Sequence, residues 1–367
     1  MKVLLCGGGT AGHVNPALAI AEAIKKEYKD SDFLFIGREG GFENQSVKKA
    51  NIPQKTLKVE GLRRGLTVKN ARKLLLALKA IKQAKLIISE FSPDVVVATG
   101  GYVSWPVIKA AERLRIPVVI HESNAYPGLV TRLVASKCKF VLLNHEKTAE
   151  YLKRKDNIAV IGNPIRSDFS SISRRAAREE LKLNKNDCFI LSFGGSIGAE
   201  KLNDVITGIM SKNIKSMPSV RHLHATGKKH FAKYRNCNLA GGVSECKITP
   251  YIDDMPKKLM AADIVICRSG AITLSELAVV GVAAILIPSP NVTDNHQYKN
   301  AKLISDAGAC VMIEEGELTE ELLLSKIKEL INDKTGRLTM AKEIKKFATK
   351  NAAELASEKI VEAARRL

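Results

Sequence analysis

At 367 residues, 45% hydrophobic and 26% charged, the chain has the length of two ordinary domains and a globular composition, which excludes a disordered or low-complexity protein. Its longest apolar run, residues 277–287, is well short of the ~20 residues of a membrane-spanning helix, and its seven cysteines are scattered without a Cys-x-x-Cys pair, so neither a disulfide framework nor a cysteine metal site is expected. The net charge of +20 points to nucleic acid, an anionic membrane surface or an anionic substrate; with 5% aromatic residues and no RNA-binding signature or zinc-finger spacing, nucleic acid is the weakest of the three.

In chain order, residues 2–6 read as a short buried strand, Gly7-Gly-Gly-Thr-Ala-Gly-His13 as a glycine-rich turn and residues 17–26 as a helix. The glycine run and His13 interrupt any signal-peptide core in residues 1–20, so a cytoplasmic protein is expected. Gly7, Gly9 and Gly12 fit the dinucleotide pattern G-x-G-x-x-G, yet the next strand, 32–36, runs into Gly37-Arg38 instead of the acid that holds an NAD ribose, although an arginine there suits NADP. A second use of the loop is close approach to a substrate while His13 removes a proton from a hydroxyl; a histidine bonded to backbone fits the same position.

Strands follow at 95–98, 118–121, 140–143 and 159–161 with helices between them, the rhythm of a parallel sheet covered on both faces. Its ligand sites are expected at the carboxyl ends of the strands, where Thr99-Gly-Gly-Tyr102 and His121-Glu-Ser-Asn124 place polar groups beside one crevice. In the helix at 69–89, Leu74, Ala77, Leu78, Ile81, Ala84 and Ile88 form one apolar face that packs on the sheet. Leu75, Leu76 and Leu86 fall off that face. Leu75 and Leu86 lie near Lys79 and Lys82 and close in sequence to Arg63, Arg64, Arg72 and Lys73, a pattern that suits an anionic lipid surface and also a second packing partner.

Gly162-Asn-Pro-Ile-Arg166 breaks the rhythm, and after a polar stretch, 167–186, it restarts with a strand at 189–193 and the turn Gly194-Gly-Ser-Ile-Gly198. That turn can cradle a diphosphate through backbone N–H groups and Ser196. Further strands fit 222–225, 246–249, 264–267, 284–287 and 309–312. Between two of them, Arg268-Ser-Gly-Ala-Ile-Thr-Leu-Ser-Glu276 turns from a strand into a helix, whose N-terminal N–H groups suit a phosphate while Glu276 can hold a ribose. A helix capped by Ser269, with Glu276 as a favourable acid, satisfies the same residues. Asp294-Asn-His-Gln297 offers amide and imidazole groups to sugar hydroxyls, or forms a polar loop. Residues 338–367 read as helix that can pack back across both halves.

Taken together, GGTAGHVNPALA at 8–19, GGYVSWP at 100–106, HESNAYPG at 121–128, GNPIR at 162–166, GGSIGA at 194–199, YIDDM at 251–255, RSGAITLSE at 268–276 and DNHQY at 294–298 resemble the MurG family. These are N-acetylglucosaminyltransferases of peptidoglycan synthesis. The resemblance implies an α/β protein of two Rossmann-like domains facing a cleft (GT-B): residues 1–162 facing acceptor and membrane, 163–340 binding UDP-GlcNAc, and a C-terminal helix, 341–367, packing across to the first domain. It further implies inverting transfer of GlcNAc from UDP-GlcNAc to the muramyl 4-hydroxyl of lipid I, an undecaprenyl-diphosphate muramyl-pentapeptide, at the cytoplasmic face of the cell membrane. No cofactor, metal or nucleic acid is expected.

Carried over position by position, the resemblance assigns donor contacts to Thr10, Ala11, Gly12, Asn124, Arg166, Ser196, Ile252, Ala271, Ile272, Thr273, Leu274, Ser275, Glu276 and Gln297, with Ile252 on the uracil and Glu276 on the ribose. His13 is the candidate base, Gly100, Gly101 and Tyr102 lie on the acceptor side, and Leu75, Leu76, Lys79 and Lys82 meet the membrane. Ala11 stands where many members have glycine and His296 where glutamine is often found, which leaves Gln297 as the sugar contact. Three other readings remain at this point: a related enzyme such as a UDP-GlcNAc epimerase or a glycolipid synthase acting on diacylglycerol, an NADP oxidoreductase, and a basic nucleic-acid binder.

Overall fold

The structure, a computed structural model, describes residues 1–41, 43–60, 68–167, 169, 172–195, 198–212, 217, 219–237 and 246–365, and for 68–74 the backbone alone. The chain forms two compact units, Met1–Arg166 with Thr349–Leu367, and Ser167–Ala348.

In the first unit, β1 (Lys2–Cys6), β2 (Asp32–Arg38), β3 (Gln54–Leu57), β4 (Val95–Ala98), β5 (Val118–Glu122), β6 (Phe140–Leu143) and β7 (Ile158–Val160) make one parallel sheet in the order β3-β2-β1-β4-β5-β6-β7. Between them run the helices α1 (Ala11–Glu27), α2 (Glu43–Lys49), α3 (Val68–Phe91), α4 (Ser104–Arg113) and α5 (Leu129–Val134). Alternation along the strands divides the core into two layers. Leu4, Leu34, Ile36 and Val96 pack with Ile81, Ala84 and Ile88 of α3, whereas Val3, Leu5, Phe35 and Val97 pack with Val14, Ala17, Ile20 and Ile24 of α1. Each valine, leucine, isoleucine or phenylalanine among them, fully buried, contributes roughly 1.5–3 kcal/mol.

The second unit repeats the plan with β8 (Cys188–Phe193), β9 (Val220–Ala225), β10 (Cys246–Thr249), β11 (Ile264–Cys267), β12 (Ala283–Leu286) and β13 (Val311–Met312), all parallel, in the order β10-β9-β8-β11-β12-β13. Its helices are α6 (Arg174–Glu180), α7 (Glu200–Lys212), α8 (Phe231–Tyr234), α9 (Met255–Ala261), α10 (Ala271–Val280), α11 (His296–Ser305), α12 (Glu320–Asn332) and α13 (Lys334–Lys345). A last helix, α14 (Ala352–Ala364), belongs to the first unit, where Ala356, Ile360 and Ala363 join the layer on α1.

Strand order reverses beside β1 and β4 in the first unit and beside β8 and β11 in the second, and ligand sites of open parallel sheets lie at such points. Register sharpens this. Cys6 pairs Ala98, and Phe193 pairs both Ala225 and Cys267, so the loops that follow leave each sheet at a common level.

Four local features depart from the sequence expectations. α1 starts at Ala11 and not at 17, carrying Pro16 inside it; the helix forgoes the one bond that Pro16 cannot donate. β3 was not foreseen because a short, half-polar edge strand lacks the apolar run of a central one. The helix expected over 338–367 is broken between Lys345 and Ala352, where the chain passes from the second unit to the first. There Thr349 lies against Gly162 (φ 81°), whose added Cβ would stand 2.4 Å from the Thr349 Cβ, so only glycine allows the approach. Leu78, assigned above to the sheet-facing side of α3, is 49% exposed. At 100° per residue it sits on the edge of that face, some 60° from Ile81.

Candidate active site

In the first unit, Gly9 (φ 88°) turns the chain out of β1 into α1, with Thr10 in extended conformation as the N-cap. Gly8 N–H donates to the Gly100 carbonyl (3.3 Å), joining this loop to the one after β4. His13 stands between them. Its Nδ1 lies 3.1 Å from the Thr99 carbonyl oxygen, and its own carbonyl accepts from the Thr99 hydroxyl (2.5 Å). A carbonyl only accepts, so the neutral ring carries its proton on Nδ1 and the lone pair on Nε2, the form a general base requires. Gly100 and Gly101 are both left-handed (φ 110° and 83°), and Tyr102 beside them is half-exposed.

The loop is also held from behind. Glu43, fully buried at the start of α2, accepts from Gly9 N–H (3.2 Å) and from Arg38 N–H (2.7 Å). A dinucleotide reading would offer the Gly9 N–H to a diphosphate; here it is engaged by the protein's own carboxylate, which weakens the NADP alternative.

Only part of the His121–Asn124 stretch faces outward, contrary to the expectation of three polar groups at one crevice. His121 is buried with Nε2 3.1 Å from the Gly162 carbonyl oxygen, and burial pushes its pKa down to about 4, so it is neutral. Glu122 is buried as well and accepts from Asn124 N–H and Nδ2 (both 3.0 Å), Gly128 N–H (2.8 Å) and the Thr131 hydroxyl (2.6 Å). These bonds orient the half-buried Asn124 with its amide nitrogen inward. Arg166 is exposed at the end of the first unit's main segment.

In the second unit, Gly194, Gly195 (φ 86°) and Gly198 (φ 87°) lie between β8 and α7; Ser196, assigned to the donor diphosphate, lies outside the described residues. A Cβ on Gly194 would meet Ala199 N at 2.5 Å, so the loop folds tightly over the helix start. α10 begins at Ala271 with Gly270, not Ser269, as its N-cap, and with no acid in its first turn. The capped-helix reading therefore fails in detail. Ser269 donates to the Gln297 carbonyl (2.8 Å), and the first-turn N–H groups face out of the positive helix end. Ala271, Ile272 and Leu274 are buried, so any ligand meets them through backbone, whereas Thr273, Ser275 and Glu276 are partly exposed. Glu276 follows Thr273 by three residues, on the same helix face. Ile252 is likewise buried, just beyond β10.

Gln297 sits at the start of α11 after two consecutive left-handed residues, Asp294 and Asn295 (φ 55° and 51°). Such strain in non-glycine residues collects at ligand loops. Its Oε1 accepts from Ser289 N–H (2.9 Å), which directs the amide nitrogen elsewhere as a donor. Arg268 holds this loop: its guanidinium donates to the carbonyls of Ile287 (3.1 Å) and Pro288 (3.2 Å) and pairs with Glu315. Arg268, Glu122 and Glu43 hold loops near the carboxyl ends of the strands without being candidate contacts, and the sequence reading missed their roles. A signal existed for Glu43, an acid close in sequence to Gly37, Gly40 and Gly41.

On α3, Leu75, Leu78 and Leu86 are 61%, 49% and 66% exposed, and Lys79, Lys82 and Lys85 are exposed among them. Leu76, 100° away from Leu75, is half-buried. A hollow of about 520 Å³ between α3 and α4 is lined by Leu78, Ile81, Trp105, Lys109, Glu112 and Arg113. Arg63 and Arg64, and the side chains of Arg72, Lys73 and Leu74, lie outside the described residues. No described helix is long and apolar enough to cross a membrane.

Residues 3–143 match the glycosyltransferase family 28 N-terminal domain and residues 189–356 its C-terminal domain. A protein of Acetivibrio thermocellus named UDP-N-acetylglucosamine--N-acetylmuramyl-(pentapeptide) pyrophosphoryl-undecaprenol N-acetylglucosamine transferase is 39% identical over 359 residues, 96% of either chain. The crystal structure of Acinetobacter baumannii MurG superposes with a TM-score of 0.76 at 28% identity, covering 98% of this chain and 99% of that one. The UDP-GlcNAc 2-epimerase of Neisseria meningitidis shares the fold alone, with a TM-score of 0.68 at 15% identity over 99% of this chain and 100% of that one. Both α/β units thus match along their length, and the chain belongs to glycosyltransferase family 28, within it to the MurG family of N-acetylglucosamine transferases.

Proposed function

We propose that this protein transfers N-acetylglucosamine from UDP-GlcNAc to the muramyl 4-hydroxyl of lipid I, with inversion at the anomeric carbon, giving lipid II for peptidoglycan synthesis. The observation that carries the reading is the 39% identity to a relative of that name over both units, and not over a nucleotide-binding half alone. In this reading the second unit holds the donor. Backbone N–H groups of α10 at Ala271 and Ile272, with the Gly194–Gly198 turn, Ser196 and Arg166, stabilise the charge that develops on departing UDP. The side chains of Thr273 and Ser275 add hydroxyls, Leu274 contributes backbone, Glu276 accepts from the ribose hydroxyls and the Ile252 backbone reads the uracil. Gln297 presents its amide nitrogen to the sugar, as its Oε1 bond to Ser289 favours.

Thr10, Ala11, Gly12 and Asn124 line the GlcNAc side, and Gly100, Gly101 and Tyr102 the acceptor side. His13 Nε2 takes the proton of the attacking 4-hydroxyl, supported by the Nδ1 contact with Thr99. The oxygen then bonds the anomeric carbon as the bond to UDP breaks. The protein works as a peripheral enzyme at the cytoplasmic face of the membrane, with Leu75, Leu76, Leu78 and Leu86 among Lys79, Lys82 and Lys85 set against an anionic lipid surface.

The test is transfer of labelled GlcNAc from UDP-GlcNAc to a short-chain lipid I analogue, with diacylglycerol and no-acceptor controls. Product of β linkage that depends on the analogue supports the reading. Binding of UDP-GlcNAc without such product would retain the donor half and remove the acceptor.

A further inference from the structure

We propose that Glu43 is a positioning residue for transfer, setting the path of the first glycine loop and so the direction in which α1 presents Thr10 to His13. The proposal rests on the transfer reading above, and its structural half stands on geometry alone. Glu43 is fully buried, yet its carboxylate touches no cation among its described bonds; both oxygens accept from backbone, Oε2 from Gly9 N–H (3.2 Å) and Oε1 from Arg38 N–H (2.7 Å). It therefore ties the loop after β1 to the end of β2 through the first residue of α2.

The surroundings are built around this one side chain. A Cβ on Gly8 would stand 2.4 Å from Glu43 Oε1, one on Gly37 2.9 Å from its Cγ, and one on Gly41 2.3 Å from its carboxyl carbon. Three glycines thus leave room for the carboxylate. Gly9 is different: nothing lies within 4 Å of its Cβ position, and its φ of 88° is what calls for glycine. That left-handed turn aims the Gly9 N–H at Glu43 and starts α1 two residues later.

His13 follows within the first turn of α1, where His13 N–H donates to the Thr10 carbonyl (3.1 Å). Its ring is held on one side by Thr99, and the loop that leads to it is held on the other by Glu43. A carboxylate can satisfy two N–H donors at once. A glutamine of the same shape offers one oxygen and turns its NH₂ towards the other N–H, so Glu43→Gln keeps the volume and breaks one tie. Displacing a reacting group by about 1 Å can cost about a hundredfold in rate.

The experiment measures Glu43→Gln and Glu43→Asp against wild type. UDP affinity by calorimetry reads the second unit and counts folded molecules; kcat and KM for the short-chain lipid I analogue are then expressed per UDP-binding molecule. The expected result is a kcat lower by about 10–100-fold in Glu43→Gln, a smaller loss in Glu43→Asp, and a UDP Kd within about twofold of wild type. Backbone hydrogen exchange over residues 7–14 accelerates in both variants while α10 stays protected. Fewer UDP-binding molecules with unchanged kcat per molecule would mean a structural role only and would overturn the proposal. If wild type makes no lipid II, the transfer reading falls by itself; exchange at 7–14 then decides the loop, and unchanged protection overturns Glu43 as its tether.

Discussion

His13 Nδ1 lies 3.1 Å from the carbonyl oxygen of Thr99, and the bare Gly100 backbone lies against the same ring, so close that a Cβ there would come within 2.4 Å of Nδ1. Tautomer and position of the imidazole are thus set by the loop after β4. His13→Ala is expected to lower kcat by about 10²–10⁴-fold with UDP affinity unchanged. Gly100→Ala, strained at φ 110° and forced into the ring, is expected to lower kcat as well. Steady-state transfer assays with calorimetric UDP titrations check both, and unaltered turnover in His13→Ala would remove it as the base.

Arg268 serves three acceptors at once, which a lysine cannot reproduce from a single ammonium. Arg268→Lys is expected to destabilise the protein by about 1–3 kcal/mol and to loosen the loop that carries Gln297. UDP-GlcNAc affinity then falls more than UDP affinity, since Gln297 is proposed to read the sugar. Equal losses for the two ligands in calorimetry would count against that assignment.

Stability should decline in mild acid. Ser192 Oγ lies 2.7 Å from His222 Nε2 and 2.8 Å from His224 Nδ1, and burial pushes the two imidazoles down to about 3 and about 4, with His121 also at about 4. In the unfolded chain they titrate near 6.5, so below that pH the unfolded state binds more protons. Their contribution is complete above about pH 6.5 and is lost progressively as pH falls below it towards the depressed folded-state values. Urea midpoints at pH 8, 7, 6 and 5 measure this. The double variant His222→Gln/His224→Gln should flatten the acid limb, and a wild-type midpoint constant from pH 7 to 5 would contradict the account.

Leu75, Leu78 and Leu86 stand together with exposed lysines on one side of α3. The triple change to glutamine is expected to weaken binding to vesicles containing anionic phospholipid at least about tenfold, since each leucine loses roughly 1.5–3 kcal/mol of burial if it inserts fully. Turnover of a water-soluble acceptor should not change. Sedimentation with vesicles at low and high salt reads the apolar and ionic parts separately, and undiminished binding by the triple variant would place the membrane contact elsewhere.

Much of this protein was legible from local pattern. Parallel strands buried on both faces must be apolar runs, so Val95-Val-Val-Ala98 and Ile264-Val-Ile-Cys267 declare themselves, and glycines after β1 and β8 mark the turns into helices. The RSGAITLSE motif located the start of α10 for the same reason, although which residue capped it was decided by Ser269 turning to Gln297. Tertiary structure alone decided the partners of the polar groups: Glu43 reaches Gly9 across 34 residues, Arg268 reaches Glu315 across 47, and Thr99 reaches His13 across 86. Periodicity and turn chemistry act over a few residues, whereas these pairings exist only once strand order has placed distant loops side by side. The sequence by itself therefore determined the two α/β units and the loops that carry the chemistry. The folded sheets decided which of those loops' polar groups stay exposed and which are used to hold the loops in place.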